Sequence, residues 1–408
     1  MKDFTKFFKT LDAGFKKNSI YIFLTYFFIL LSYPLARSTT SAIFYEHYTS
    51  AQYSLAAFFG VAFLLAFIWL NNKLQVKIGI HNLFSLTGLL TILFFGLSFV
   101  LVNFQIPQGA FLLFAIKESY VVLLLHLCLA FTNAYYSLEQ VKVLFGPLGA
   151  VGALGGILGG QITSYLAEQF TPEYIFIPAS IFILCSLACF YQTRNVKLVG
   201  VDKKNSITPI KAVQSVKKYV FIIASIIALS QFVIFIADLQ FNIVFEKMIT
   251  SKVERTKYLG NFYSMVNGVS FVLQFFVLPI ILTQFRVKTI FLFIPVFYII
   301  LILAGVSIGS GSLFIIGGVF IFLKGTDYSI FNTVKEVMYS PLLSLQKFGA
   351  KYLTDMFSYR TAKAFIAFIM AILAITDIRI LTVLQLIFIG LWIWLIYLAF
   401  KEQETINK

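Results

Sequence analysis

Twelve apolar runs constrain this chain more than anything else in it. They fall near 19–44, 51–71, 82–103, 111–136, 143–168, 174–192, 219–245, 258–283, 288–306, 312–333, 351–375 and 379–400. A helix of about 20 such residues crosses the hydrocarbon core of a bilayer. Inside lipid, only helices and closed barrels satisfy their own backbone hydrogen bonds. Composition agrees: 60% of the 408 residues are hydrophobic and 12% are charged, about half the charged share of a globular domain. A disordered chain, a disulfide-stapled secreted domain and an ordinary cytosolic enzyme are excluded. The fourth and fifth runs are separated by few polar residues, so an eleven-span reading is also open.

Most connectors are short. The exception is 193–218, which is longer, basic and polar. Six spans, a central loop and six spans is the plan of the major facilitator fold, an all-α membrane architecture. There, two six-helix halves rock around a midplane site. The expected division is 1–192, 193–218 and 219–408.

The net charge of +15 is mostly orientation. With both termini cytoplasmic, 22 of the 32 basic residues fall on the inner side and six on the outer, counting Lys117 there at a helix edge; Arg37, Lys324, Arg360 and Lys363 lie inside spans. That bias is the positive-inside rule; the expected location is a bacterial inner membrane. No nucleic-acid motif accompanies the charge, so no nucleic-acid partner is expected. The first apolar run, starting near Tyr21, is too long for a cleavable signal.

Other chemistries lack their residues. Cys128, Cys185 and Cys189 sit in apolar runs and read as small core hydrophobes. His47, His81 and His126 are scattered without metal-ligand spacing, and no Walker A motif appears. No cofactor is expected, and neither is enzymatic activity: a lipid-modifying enzyme would need a catalytic His or a carboxylate cluster at the interface. The protein is expected to be a monomer.

Residues 146–160, GPLGAVGALGGILGG, imitate a phosphate-cradling loop. The spacings Gly152/Gly156, Gly155/Gly159 and Gly156/Gly160 instead suit close helix packing within a membrane. Pro147 is read as lying near the start of that helix, where a missing N–H costs little.

Charges inside spans cost at least about 2.5–3.5 kcal/mol at the bilayer centre, so they face a partner or a wet cavity. Here they are Arg37, Glu118, Asp238, Lys324, Asp327, Arg360 and Lys363, with Asp355 at an edge. Lys324 and Asp327 are three apart and can pair on one helix. At 100° per residue Arg360 and Lys363 share a face, which Asp355 cannot also join. The seventh run carries Asp238, Gln240 and Asn242; the first carries Tyr33-Pro34-Leu35-Ala36-Arg37-Ser38-Thr39-Thr40. These two runs would line the cavity of a facilitator, and Pro34 invites a kink.

Residues 328–363, YSIFNTVKEVMYSPLLSLQKFGAKYLTDMFSYRTAK, resemble the signature of the Tlc-type ATP/ADP (NTP/NDP exchange) transporters. That pattern is approximately YSLFDSTKEMAYIPL, then K-x-x-x-K, then D-x-x-x-x-R-x-x-K. It aligns without a gap on Tyr328, Phe331, Lys335, Glu336, Tyr339, Pro341, Leu342, Lys347, Lys351, Asp355, Arg360 and Lys363. DLQF at 238–241, YLGNFYSMVNGVSFVLQ at 258–274, and Glu118, Asn133 and residues 139–156 are similar to other parts of that family, its broader bacterial branch above all. The likeness covers most of the chain.

It implies antiport of a nucleotide by alternating access. Arg37, Asn133, Asp238, Gln240, Asn242, Lys324, Arg360 and Lys363 would contact substrate, and Glu118, Asp327, Lys335, Glu336 and Asp355 would form gating ion pairs. Two departures remove cations: Thr40 and Ser41 stand where the family carries Lys and Asp, and Asp327 replaces a basic residue. A triphosphate needs several cations around it. The expected partner is therefore a small anionic solute, nucleotide-like or otherwise phosphorylated. A non-nucleotide solute, or a non-transporting sensor or scaffold on the same fold, are the alternatives.

Overall fold

The computed structural model describes residues 12–196 and 209–406. Lys2, Lys6, Lys9, Lys197, Lys203, Lys204 and Lys408, used above for orientation, lie outside the described residues. Among the described residues twelve helical spans are long and apolar enough to cross a membrane, and none is a strand. We number them α1 (Ala13–His47), α2 (Ser50–Ile78), α3 (Ile80–Asn103), α4 (Pro107–Tyr135), α5 (Leu138–Gln169), α6 (Phe176–Tyr191), α7 (Lys217–Met248), α8 (Lys252–Gln284), α9 (Val287–Gly309), α10 (Leu313–Met338), α11 (Leu345–Leu373) and α12 (Ile378–Ile406).

Twelve spans, not eleven, follow from a local signal between α4 and α5. The backbone is extended at Tyr136 and Ser137. The Ser137 hydroxyl accepts from the Gln140 N–H at 3.4 Å, and Gln140 Oε1 accepts from the Ser137 N–H at 2.8 Å. This capping box satisfies two otherwise orphaned groups and starts a new helix. Pro147 therefore lies well inside α5, not near its start. Pro34 likewise lies inside a continuous α1.

Three spans are interrupted by π-helical turns: Leu273–Val277 in α8, Asp327–Phe331 in α10 and Tyr352–Ser358 in α11. Such a turn rephases the helix that follows it and often sits at a functional position.

The chain divides into two compact units. One takes residues 12–47, 62–196 and 250–268; the other takes 48–61, 209–249 and 269–406. The start of α2 thus packs with the second unit, and the start of α8 with the first.

In the first unit, the glycines of α5 serve two neighbours. A Cβ at Gly155 would lie 2.7 Å from the Phe27 carbonyl oxygen of α1. One at Gly156 would lie 2.7 Å from the Asn267 amide of α8, and one at Gly160 2.5 Å from the Gly260 carbonyl oxygen. The close-packing expectation for 146–160 holds, on both faces. Helix α1 also runs along α4: Ser32 and Tyr120 hydroxyls meet at 3.1 Å, and the Phe44 and Phe114 rings at 4.8 Å.

In the second unit α7 is the central helix. Gln385 of α12 donates to the Val233 carbonyl at 3.1 Å, Ser358 of α11 to Ala224 at 3.0 Å, and the Tyr219 hydroxyl to Met338 of α10 at 2.7 Å. In lipid, such interhelical bonds each contribute on average about 0.6 kcal/mol.

Candidate functional site

The first unit holds a charged ladder between α1 and α4. Tyr33, Arg37 and Ser41 recur every fourth residue and share one face of α1. Glu118 Oε1 accepts from the Tyr33 hydroxyl at 3.1 Å and lies 3.9 Å from Arg37 Nε. The Arg37 guanidinium sits 3.9 Å from the centroid of Tyr263 on α8 and 5.6 Å from that of Tyr33. Aromatic faces stabilise a desolvated cation by about 2 kcal/mol or more.

Lys117 corrects the orientation count above. It is not at an outer helix edge: it is 3% exposed, within α4. Its Nζ donates to Ser41 Oγ at 3.0 Å and lies 3.7 Å from the Phe114 ring centroid. A buried cation thus stands against Ser41 of α1. Nothing in a single sequence distinguishes this buried Lys from a snorkelling one; only its adjacency to Glu118 hints at it. Next to it, Ser38 Oγ, Thr39 Oγ1 and Thr40 Oγ1 are buried without a hydrogen-bond partner among the described residues. Asn133 does not join this group. It is exposed, about 22 Å along α4 from Glu118 at 1.5 Å per residue.

In the second unit the candidate residues form three groups. Asp238 and Asn242 belong together: the Asn242 amide donates to Asp238 Oδ1 at 3.1 Å, and the Tyr53 hydroxyl of α2 donates to Oδ2 at 2.6 Å. Gln240 faces away, donating to Thr382 Oγ1 of α12 at 3.0 Å and to the Ile378 carbonyl at 3.3 Å. Two residues advance a helix by about 200°, so Asp238 and Gln240 cannot serve one ligand from α7.

The second group joins α10 to α11. Lys324 Nζ is 3.4 Å from Asp327 Oδ2, and the Gln231 amide donates to Asp327 Oδ1 at 3.4 Å. Tyr359 of α11 interacts electrostatically with Lys324 and Asp327, and Arg360 follows it in sequence. Arg360 Nε is buried and has no hydrogen-bond partner among the described residues. One turn further on, Lys363 is half-buried and has no hydrogen bond or ion pair to a described residue.

The third group closes the end of α10 onto α11. Lys335 Nζ is 2.8 Å from Asp355 Oδ1, Tyr339 donates to the same oxygen at 3.3 Å, and Lys351 pairs with Glu336. Burial first, and the Asp355 charge second, hold the Tyr339 phenol well above its usual range, so it remains a donor. The π turn at 352–358 separates Asp355 from the regular helix bearing Arg360 and Lys363. The carboxylate therefore goes to Lys335 and leaves those two cations unneutralised by it.

An ion-pair lattice lies elsewhere in the first unit. Lys252 bridges Glu173 at 2.5 Å and Glu46 at 3.0 Å, Lys257 pairs with Glu168, and Arg255, 5% exposed, donates to the Tyr45 carbonyl at 2.7 Å. Lys252, Arg255 and Lys257 thus belong to the first turns of α8.

The fold has clear parallels among solved structures. A mutant of the nucleoside transporter NupG matches with a TM-score of 0.68 at 15% identity, covering 94% of this chain and all of that one. A POT family peptide transporter matches with a TM-score of 0.67 at 10% identity, over 95% of this chain and 96% of that one. A bacterial homolog of the human lysosomal transporter Spinster matches with a TM-score of 0.63 at 12% identity, over 95% and 98%. No protein-family model matches the chain, and no curated protein matches it in sequence. These likenesses establish a multi-pass, all-α membrane protein of the major facilitator fold; at such identities they carry the fold alone.

Proposed function

We propose that this protein is a secondary active transporter, not an enzyme. It moves a small anionic solute, a nucleotide or another phosphorylated compound, across a bacterial inner membrane by alternating access. It works as a monomer with both termini cytoplasmic and a six-helix half on each side of the 193–218 loop. The observation that carries this reading is Arg360: a half-buried side chain whose buried Nε has no hydrogen-bond partner among the described residues, one turn from Lys363, which has no ion pair among them. Uncompensated cations inside a span are costly, and an incoming anion offsets that cost.

A guanidinium grips a phosphate or carboxylate with two parallel bonds, and a neighbouring ammonium adds a point charge. In the first unit Arg37 and Lys117 place two further cations beside Glu118 and Ser41. The solved nucleoside, peptide and Spinster-type transporters of the same fold support transport as the activity. Lys335–Asp355 and Lys351–Glu336 are ion pairs that break and re-form during the cycle. Counterflow in proteoliposomes tests the proposal: the wild type exchanges a labelled phosphorylated solute, and Arg360→Ala at equal incorporation does not. Wild-type exchange by that variant removes Arg360 from the site.

A further inference from the structure

Asp238 differs from the ion-paired acids of the described helices. Glu118 lies beside Arg37, Asp327 beside Lys324, Asp355 beside Lys335, and Glu46 and Glu173 share Lys252. Asp238, 8% exposed within α7, has no ion pair among the described residues. Its two oxygens take hydrogen bonds from neutral groups, the Tyr53 phenol at 2.6 Å and the Asn242 amide at 3.1 Å. Protonating an ion-paired acid leaves a buried cation without its partner. Protonating Asp238 leaves no charge behind, and a phenol can turn from donor to acceptor. The surroundings thus accommodate both the ionised and the neutral acid.

The charged groups of the helices packed against it lie further along α7 in either direction. On its own helix face Glu246 lies two turns on, accepting the Ser50 N–H at 2.7 Å. On α2 the facing titratable group is Tyr53 itself. Helix α12 presents the neutral Thr382 and Gln385 to α7. The Lys324–Asp327 pair of α10 meets α7 at Gln231, about two turns in the other direction. On α11 the pairings Ser358 with Ala224 and Phe365 with Phe232 put Lys363 level with Gln231 rather than with Asp238.

Tyr53 gives the site a mechanical reach. It belongs to 48–61, the piece of α2 that packs with the second unit while the rest of that helix packs with the first. Its ring lies 6.2 Å from Phe235 and its neighbour Phe58 lies 5.1 Å from Phe368. The Tyr53 bond is therefore a polar fastening of α2 to α7, beside the Ser50 N–H to Glu246 bond two turns along α7. A hydrogen bond to an ionised carboxylate is roughly twice as strong as one to a neutral acid.

We propose that Asp238 is a proton-binding site: ionised, it holds the first turns of α2 through Tyr53; protonated, it loosens them. A proton from water adds to a carboxylate oxygen, and no other reactant is needed. In a transporter this ties movement of α2 to the proton gradient; that step alone rests on the transport reading, and the site itself does not.

The test uses protons as the only ligand, so it stands or falls apart from the choice of solute. Infrared difference spectra of the purified full chain are recorded as pH is stepped from neutral to mildly acidic. A protonated-carboxyl band should appear in the wild type and in Glu246→Gln, and be missing from Asp238→Asn. If Asp238→Asn does not fold, Tyr53→Phe decides: its carboxyl band must shift in frequency with loss of the hydroxyl. Amide exchange in 48–61 should rise about tenfold on acidification, the worth of one charge-assisted hydrogen bond, in the wild type only. An unchanged band in Asp238→Asn, an unshifted band in Tyr53→Phe, or pH-independent exchange in 48–61 overturns the proposal.

Discussion

Gly160 of α5 and Gly260 of α8 meet backbone to backbone. A Cβ on either would lie 2.5 or 2.7 Å from the carbonyl oxygen of the other. Neither main chain can retreat without moving its whole helix. Gly160→Ala should therefore destabilise the protein by about 1–3 kcal/mol, the usual effect of overpacking. Gly146→Ala, with nothing within 4 Å of the new methyl, should melt no lower than the wild type. Thermal melts in detergent compare the two.

Lys252 stands between Glu46 and Glu173, the latter 7% exposed. Lys252→Met leaves two carboxylates facing each other. Because Lys252 and Glu46 retain some contact with water, the loss should be about 1–2 kcal/mol, below the 3–5 kcal/mol of a fully buried broken pair. Adding Glu46→Gln and Glu173→Gln should recover most of it.

The Lys335–Asp355 pair fastens α10 to α11 at 2.8 Å. A double-mutant cycle with Lys335→Met and Asp355→Asn should give a coupling energy of about 1 kcal/mol, within the range for contacting residues. A coupling indistinguishable from zero would mean that the two act independently.

Lys117 and Ser41 are bonded but not equivalent. If Lys117 supplies cationic field to a bound anion, Lys117→Met should weaken binding of a phosphorylated solute about tenfold, the scale of one charge-assisted hydrogen bond. Ser41→Ala removes a neutral acceptor and should change affinity less than twofold. Equilibrium binding on the purified variants distinguishes these outcomes.

The fold was legible because lipid imposes a length and a composition on every span, and hydropathy reads both. The α4–α5 break was also written in the chain, as Ser137 and Gln140 at capping-box spacing, yet an apolar window passes over it. The candidate site was legible only in part. Lys324 with Asp327 could be paired because they share one helix. Lys117 with Ser41, Lys335 with Asp355, and Asp238 with Tyr53 pair across helices, and no single-chain periodicity encodes such partners. The π turns at 327–331 and 352–358 shift the faces that a uniform 100° step assumes. Gln240 was grouped with Asp238 by proximity in sequence, whereas α7 turns it to α12.

The central claim is that buried cations receive an anionic, phosphorylated solute, and ligand-induced thermal stabilisation of the purified protein tests it most directly. At a ligand concentration about 100-fold above Kd the folded state gains about 2.7 kcal/mol. The account predicts that a phosphorylated compound such as a nucleotide raises Tm. It also predicts that the matching uncharged nucleoside does not, and that Arg360→Ala loses the rise. Stabilisation by the uncharged compound alone, or an undiminished rise in Arg360→Ala, would contradict it.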